Sequence, residues 1–325
     1  MEALEHRMAM VKEQNSAMQL RDAEWTYTKI KEYVGMRSTI IVDASLFADF
    51  SHRSDPLLQG TPVSVLDSNN FLNVLVATEK YEKGVFSKTT LASLSDGTPV
   101  TLKRYHIWEG KDADVKSLQF VSHEARLLKY LGKHPNITFP YGIVQIRGAF
   151  HIALKYEGNL SLRQFLQNDV FGSEAAVQSV VEGICAAIVF LHEKDVLHNH
   201  IRCGNILLPQ FGDGYRPVLI GFAFACRHSV GKLLSKEALE KFKEIDHFPP
   251  EVIARKSRPS FQSDVFSYGV IMRRILARRL PVADYVLYKL KKIMERCTDY
   301  DPEIRSMPNV LRVDINSAFY DMYEQ

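Results

Sequence analysis

Two imidazoles, a guanidinium and a carboxamide crowd into one short stretch, at His198, His200, Arg202 and Asn205. An imidazole accepts a proton near neutral pH, so His200 has the chemistry of a base. Arg202 is always charged and presents planar donors that suit a phosphate. Asn205 brings a side-chain oxygen, and the apolar run Ile206-Leu207-Leu208 follows it directly. Cys185, Cys203, Cys226 and Cys297 are scattered, with no pair at metal-ligand spacing and no disulfide framework, which reads as reduced thiols.

The elements that must hold this stretch are legible on both sides of it. Just upstream, Val177, Val180, Val181, Ile184, Ala187, Ile188 and Leu191 form one continuous apolar face at helical period, which predicts a long buried helix. Earlier still, Phe71 to Thr78, Thr89 to Leu94 and Val100 to Tyr105 read as three antiparallel strands, with Ser95-Asp96-Gly97 as a turn. A helix is expected around Leu118 to Leu131, and two more strands flank Ile146-Arg147-Gly148. Strands first and helices after them make an α+β architecture.

Residues 1 to about 35 contain no Pro, and Leu4, Met8, Val11, Met18 and Trp25 fall near one side of a helix. Asn15 and Asp22 interrupt that seam, so docking on the protein's own body is expected over self-association or a membrane surface. Residues 36 to 70 read as a connector with one short strand, Thr39 to Val42. The chain has 325 residues, 46% hydrophobic and 24% charged, enough for one two-lobed domain and an extension. A net charge of +3 is too small to argue for nucleic-acid binding. No stretch reaches eighteen uninterrupted apolar residues, so no membrane span is implied.

The run His198-Asn199-His200-Ile201-Arg202-Cys203-Gly204-Asn205-Ile206-Leu207-Leu208 resembles the catalytic loop of protein kinases, His-Arg-Asp-Leu-Lys-x-x-Asn-Ile-Leu-Leu. Other segments follow in the family's order. Thr98 to Lys103 resembles the Val-Ala-x-Lys strand, and His123 to Leu128 the helix whose Glu, here Glu124, pairs with that Lys. His134-Pro135-Asn136-Ile137 is the family's turn. Pro249-Pro250-Glu251 resembles Ala-Pro-Glu, Ser263 to Val270 resembles Ser-Asp-Val-Trp-Ser-x-Gly-Val, and Asp301 to Arg305 resembles Asp-Pro-x-x-Arg. The match covers residues 75 to 315. It implies a bilobal fold, with a small antiparallel-sheet lobe at about 71–157 and a larger helical lobe at about 158–315; the N-terminal helix and connector read above then occupy 1–70, and 316–325 is a tail.

The resemblance also shows what is missing. Asn199 stands at the Arg that clamps an activation-loop phosphate, and His200 at the catalytic Asp. Val218-Leu219-Ile220-Gly221-Phe222-Ala223 places Gly221 at the metal-binding Asp of Asp-Phe-Gly. Glycine has no side-chain oxygen to give Mg²⁺. Arg202 stands at the Lys that stabilises transfer. In the phosphate loop only Gly84 and Phe86 match, and Glu82 would repel phosphates. From Phe224 to His247 there is no Tyr or Thr, and Gly231 to Phe242 reads as a helix. Asp264 to Arg305 spans 41 positions (305 − 264), short of the family's interval, so the substrate-docking helix of that region is expected to be missing. A basic helix with Arg273, Arg274, Arg278, Arg279, Lys289, Lys291 and Lys292 takes its place.

The expectation is therefore a pseudokinase that serves as a scaffold or allosteric module. No catalytic residue is expected, His200, Arg202 and Gly221 being degenerate. Nucleotide contacts would come from Gly84, Lys103, Glu124, Leu154 at the gatekeeper, Tyr156 in the hinge, and Asn205. His198, Phe222, Glu251, Asp264 and Arg305 would be structural. His198 and Phe222, with Leu128, match three of four members of the stack that aligns the lobes, and Pro140 takes the fourth place. No cofactor is required; ATP without Mg²⁺ is the expected ligand if there is one, and no metal site is expected. Asn205 would be a metal ligand only in the rival reading, a divergent kinase active through His200, Arg202 and Asn205. A third reading is a structural subunit whose pocket is filled by its own side chains. Protein partners, a monomer, no nucleic acid, no membrane and a cytoplasmic location complete the expectations, and no kinase subfamily is assigned.

Overall fold

The computed structural model describes residues 24–25, 55–66, 71–74, 87–105, 113–146, 148–231, 233 and 246–320. They form two units. The first holds the described residues up to Gly132 together with Phe139–Tyr156; the second holds Lys133–Thr138 and everything from Glu157 on.

The first unit runs β1 (Glu24–Trp25), α1 (Pro56–Gln59), β2 (Val63–Leu66), β3 (Phe71–Val74), β4 (Ser87–Leu94), β5 (Pro99–Tyr105), α2 (Ala113–Leu131), β6 (Pro140–Ile146) and β7 (Ala149–Lys155). Its strands make one sheet in the order β1-β2-β6-β7-β5-β4-β3. Among the described strands of this sheet, only β2 and β6 pair in parallel. Alternation in β5 sends Val100 and Leu102 to one face, where they pack with Ala92, Val144 and Ala153. Thr101 and Lys103 fall on the other face. Helix α2 has no Gly or Pro in 19 residues, and it buries Val121, Ala125 and Leu128 completely. It stops at Gly132, whose φ of 78° lets its N–H turn back to the Leu128 carbonyl.

Two expectations fail here. Residues 24 and 25 are not helical: Trp25 pairs with Val63 and Glu24 with Ser64 as an edge strand. The rest of the expected N-terminal helix, and the strand at Thr39 to Val42, lie outside the described residues. The connector ending at 70 also contains a sheet strand, β2, with Val63 only 1% exposed. Its alternation was hidden by the neighbouring Gly60-Thr61-Pro62 turn signal. Gly142 makes the pairing feasible, because a Cβ there would lie 2.4 Å from the Ser64 carbonyl oxygen.

The second unit continues with α3 (Leu162–Asn168), α4 (Glu174–Glu193), β8 (Val196–Leu197), β9 (Ile206–Leu207), β10 (Gln210–Phe211), β11 (Gly214–Tyr215), β12 (Val218–Leu219), β13 (Cys226–Arg227), α5 (Pro250–Ile253), α6 (Phe261–Leu276), α7 (Asp284–Cys297) and α8 (Pro308–Tyr320). Ser161 caps α3 through a capping box with Gln164, and Ser173 caps α4. The apolar face anticipated for α4 is buried along its whole length. By length and composition α4 could cross a membrane; here it is the core helix of its unit. Tyr268 on α6 donates to the Val181 carbonyl of α4. Of the helix expected at 231–242, Gly231 and Leu233 are described, both non-helical, and the remainder lies outside the described residues. The last helix runs past 315 to Tyr320, because Ala318 and Phe319 are still buried.

Two small ladders position the chemistry-bearing loop. β8 pairs with β13, and β9 with β12. Residues 198–205 are thereby held beside residues 220–225.

Candidate functional site

In the first unit, β5 and α2 bring Lys103 and Glu124 together. The Lys103 ammonium lies 2.8 and 2.9 Å from the two carboxylate oxygens, and both side chains are buried. Sequence reading missed a third member. The Tyr105 hydroxyl donates to Glu124 Oε2 at 2.5 Å. Tyr105 follows Lys103 by two positions, so strand alternation puts both on one face, and that was the available signal. Burial, then the Glu124 charge, push the Tyr105 pKa well above its usual value, so it stays a donor. Leu154, paired with Thr101 and Pro140, is buried in β7, and Tyr156 just beyond it is half-buried. Leu128 is buried in α2. Gly84 and Phe86 lie outside the described residues.

In the second unit the loop is organised by Asp264, at the first turn of α6. Its Oδ2 accepts the His198 N–H at 2.8 Å and its Oδ1 the Asn199 N–H at 3.0 Å. His192, from the last turn of α4, reaches the same Oδ2 at 3.1 Å. A carboxylate that is 1% exposed needs such partners. His198 Nε2 contacts the Ile220 carbonyl at 3.1 Å, and its ring meets Phe222 edge-on at 4.6 Å. Two members of the expected stack therefore meet within this unit.

Asn199 does more than replace an arginine. It adopts φ 60° and donates to the Phe224 carbonyl at 3.0 Å and to Cys226 Sγ at 3.2 Å. That ties the loop to the segment after Gly221 without any phosphate. Glu251 and Arg305 form a two-point ion pair at 2.7 and 2.9 Å, and Arg305 also donates to the Asp299 carbonyl.

The chemistry turns on His200, Asn205 and Gly221. Asn205 Nδ2 lies 2.8 Å from the His200 carbonyl oxygen, which fixes that end of the amide as the donor. The same Nδ2 lies 3.1 Å from His200 Nδ1. A neutral His200 that accepts there carries its proton on Nε2. Its lone pair is then engaged by the amide, so the ring is poorly placed to act as a base. Gly221 sits alongside at φ 85° and ψ 48°. A Cβ built on it would meet the Asn205 amide, 3.0 Å from Cγ and 3.1 Å from both Nδ2 and Oδ1. The Asn205 amide thus lies against a position with no carboxylate. Mg²⁺ needs several oxygens in near-octahedral array, and the donor set here does not fit it. Among the described residues no group of three or more His, Cys, Asp or Glu could hold a metal ion.

Two other expectations are decided here. Only seven residues (277–283) join α6 to α7, so the described chain has no helix between them. The basic residues do not share one helix: Arg273 and Arg274 end α6, Arg278 and Arg279 lie in the link, and the lysines are on α7. Several are engaged. Arg274 pairs with Asp246, Lys292 with Glu295, and Lys289 donates to the Ser317 carbonyl.

Comparison with known proteins agrees with this anatomy. The family model described as "Protein kinase domain" matches residues 78–316. The dual specificity testis-specific protein kinase 2 of Mus musculus is 26% identical over 68% of this chain and 41% of its own length. The RasGEF domain-containing serine/threonine-protein kinase X of Dictyostelium discoideum is 29% identical over 69% of this chain and 22% of its own. Serine/threonine-protein kinase C of Synechocystis is 27% identical over 49% and 30%. The chain thus matches about two fifths or less of each of these relatives. With the paired Lys103 and Glu124, the Asp264-braced loop and the Glu251–Arg305 pair in place, and the family model matched over most of its length, the chain belongs to the protein kinase domain family.

Proposed function

We propose that this protein kinase domain does not transfer phosphate and works as a pseudokinase, a protein-interaction scaffold or allosteric module. One observation carries the reading: the Asn205 amide is bonded to His200, beside a Gly221 that offers no ligand. Phosphoryl transfer depends on positioning and on metal neutralisation of charge, and the chain has no metal carboxylate at Gly221 and no carboxylate base at His200. The short link between α6 and α7 supports the same reading, since the substrate-docking helix that the resemblance places in that region has no room there. Asn199 supports it too, because its direct bonds leave no arginine for a phosphate switch.

Nucleotide, where it binds, would do so without Mg²⁺ and would meet Lys103. In this reading residues 71–315 are the working domain, a protein is the partner, and the chain acts as a cytoplasmic monomer. The kinase names of the relatives favour a second reading, a divergent active enzyme. A thermal-shift titration with ATP, with and without Mg²⁺ or Mn²⁺, separates the two. The proposal expects either no shift or the same shift in both conditions; a ligand at a hundred times its Kd adds about 2.7 kcal/mol and is readily seen. A shift that appears only with the metal would overturn it.

A further inference from the structure

The first unit contains a device that neither the family match nor the degenerate loop accounts for. Tyr105, the last residue of β5, touches α2 at three places on one helical stripe. Its carbonyl accepts the Ser117 hydroxyl at 3.1 Å. Its ring lies 5.3 Å from the Phe120 ring. Its hydroxyl donates to Glu124 at 2.5 Å. Positions 117, 120 and 124 follow the i, i+3, i+7 spacing of one face, so a single residue, through its carbonyl and its side chain together, spans two turns. The Lys103 ammonium also lies 5.0 Å from the centre of the Tyr105 ring.

We propose that Tyr105 is a positioning residue: it locks α2 to β5 in the Lys103–Glu124 paired state before any ligand arrives. The electrostatics favour this. Glu124 is fully buried, and a buried carboxylate needs more than one donor. With Tyr105 sharing its charge, Glu124 neutralises Lys103 less completely. The ammonium then keeps attraction for an anion of the phosphate class. That last step rests on the proposed metal-free nucleotide reading; the lock itself does not.

The test uses the full chain and the variants Tyr105→Phe and Ser117→Ala. Phe keeps the ring and removes only the hydroxyl. A hydrogen bond to a charged group corresponds to about a tenfold change in an opening equilibrium. Amide exchange over residues 113–131 should therefore speed up about tenfold in Tyr105→Phe, with the second unit unchanged. Acylation of Lys103 by a lysine-directed reagent should rise several-fold in Tyr105→Phe and by less in Ser117→Ala, where the Tyr105 hydroxyl still holds Glu124. Unchanged exchange in Tyr105→Phe, or acceleration spread equally over both units, would overturn the lock. Inorganic tripolyphosphate without metal, followed by thermal shift, addresses the ligand separately. Weaker binding to Tyr105→Phe than to wild type supports the anion step, and equal binding overturns that step. No binding to either protein removes the nucleotide reading, and exchange still decides the lock.

Discussion

Asp264 shows how much one carboxylate can organise. It accepts two consecutive backbone N–H groups and a histidine while almost fully buried. Asp264→Ala leaves those donors without an acceptor, and a loss of about 3 kcal/mol or more is expected in denaturant unfolding. Gly221 carries a different constraint. Its φ of 85° is one that L side chains rarely adopt, so Gly221→Ala should cost about 1–2 kcal/mol in the same assay. The histidines predict a pH response. Burial is the main cause that lowers the pKa of His134, His151 and His228 below the ordinary 6.5. Each binds its proton less tightly folded than unfolded, so the unfolded chain takes up protons first as pH falls. Their contribution is complete above about pH 6.5 and is lost as pH drops below it. Melting temperature should fall from pH 7 to pH 5, less steeply in His151→Gln; an identical slope in that variant would contradict the assignment.

At the scale of elements, close approach does much of the work. A Cβ on Gly269 of α6 would lie 2.6 Å from Thr298 Cγ2 and 2.7 Å from Cys297 Cβ at the end of α7. Gly269→Ala should destabilise by about 1–3 kcal/mol through overpacking, despite its better helix propensity. Calorimetry that showed stabilisation would mean the helices can part at no cost. What was legible beforehand divides along physical lines. The α4 face, β5, α2 and the Lys103–Glu124 pair announce themselves by period and by residue type. Strand β2 did not, because four residues beside a Pro and a Gly look like a linker until a partner strand is known. The Tyr105 hydroxyl and the Asn199 amide were equally hidden. Their roles depend on which carboxylate, carbonyl or sulfur folding brings near, and no local pattern encodes that.

For the whole molecule, the account separates scaffold from catalyst. The buried pairs that define the fold are intact: Lys103–Glu124 in one unit, Glu251–Arg305 in the other. Breaking either from one side, by Glu124→Gln or Glu251→Gln, leaves a buried charge and should cost about 3–5 kcal/mol in chemical denaturation. In the proposed reading, the groups that would move a phosphate are replaced, at His200 and Gly221. The central claim is therefore a missing reaction in a well-built fold, and phosphate transfer tests it most directly. The purified 325-residue chain is incubated with labelled ATP and Mg²⁺ or Mn²⁺, alone and with generic protein substrates, beside Lys103→Ala. The account predicts no incorporation above that variant. Incorporation by the wild type that disappears in Lys103→Ala would contradict it and establish the chain as an active kinase.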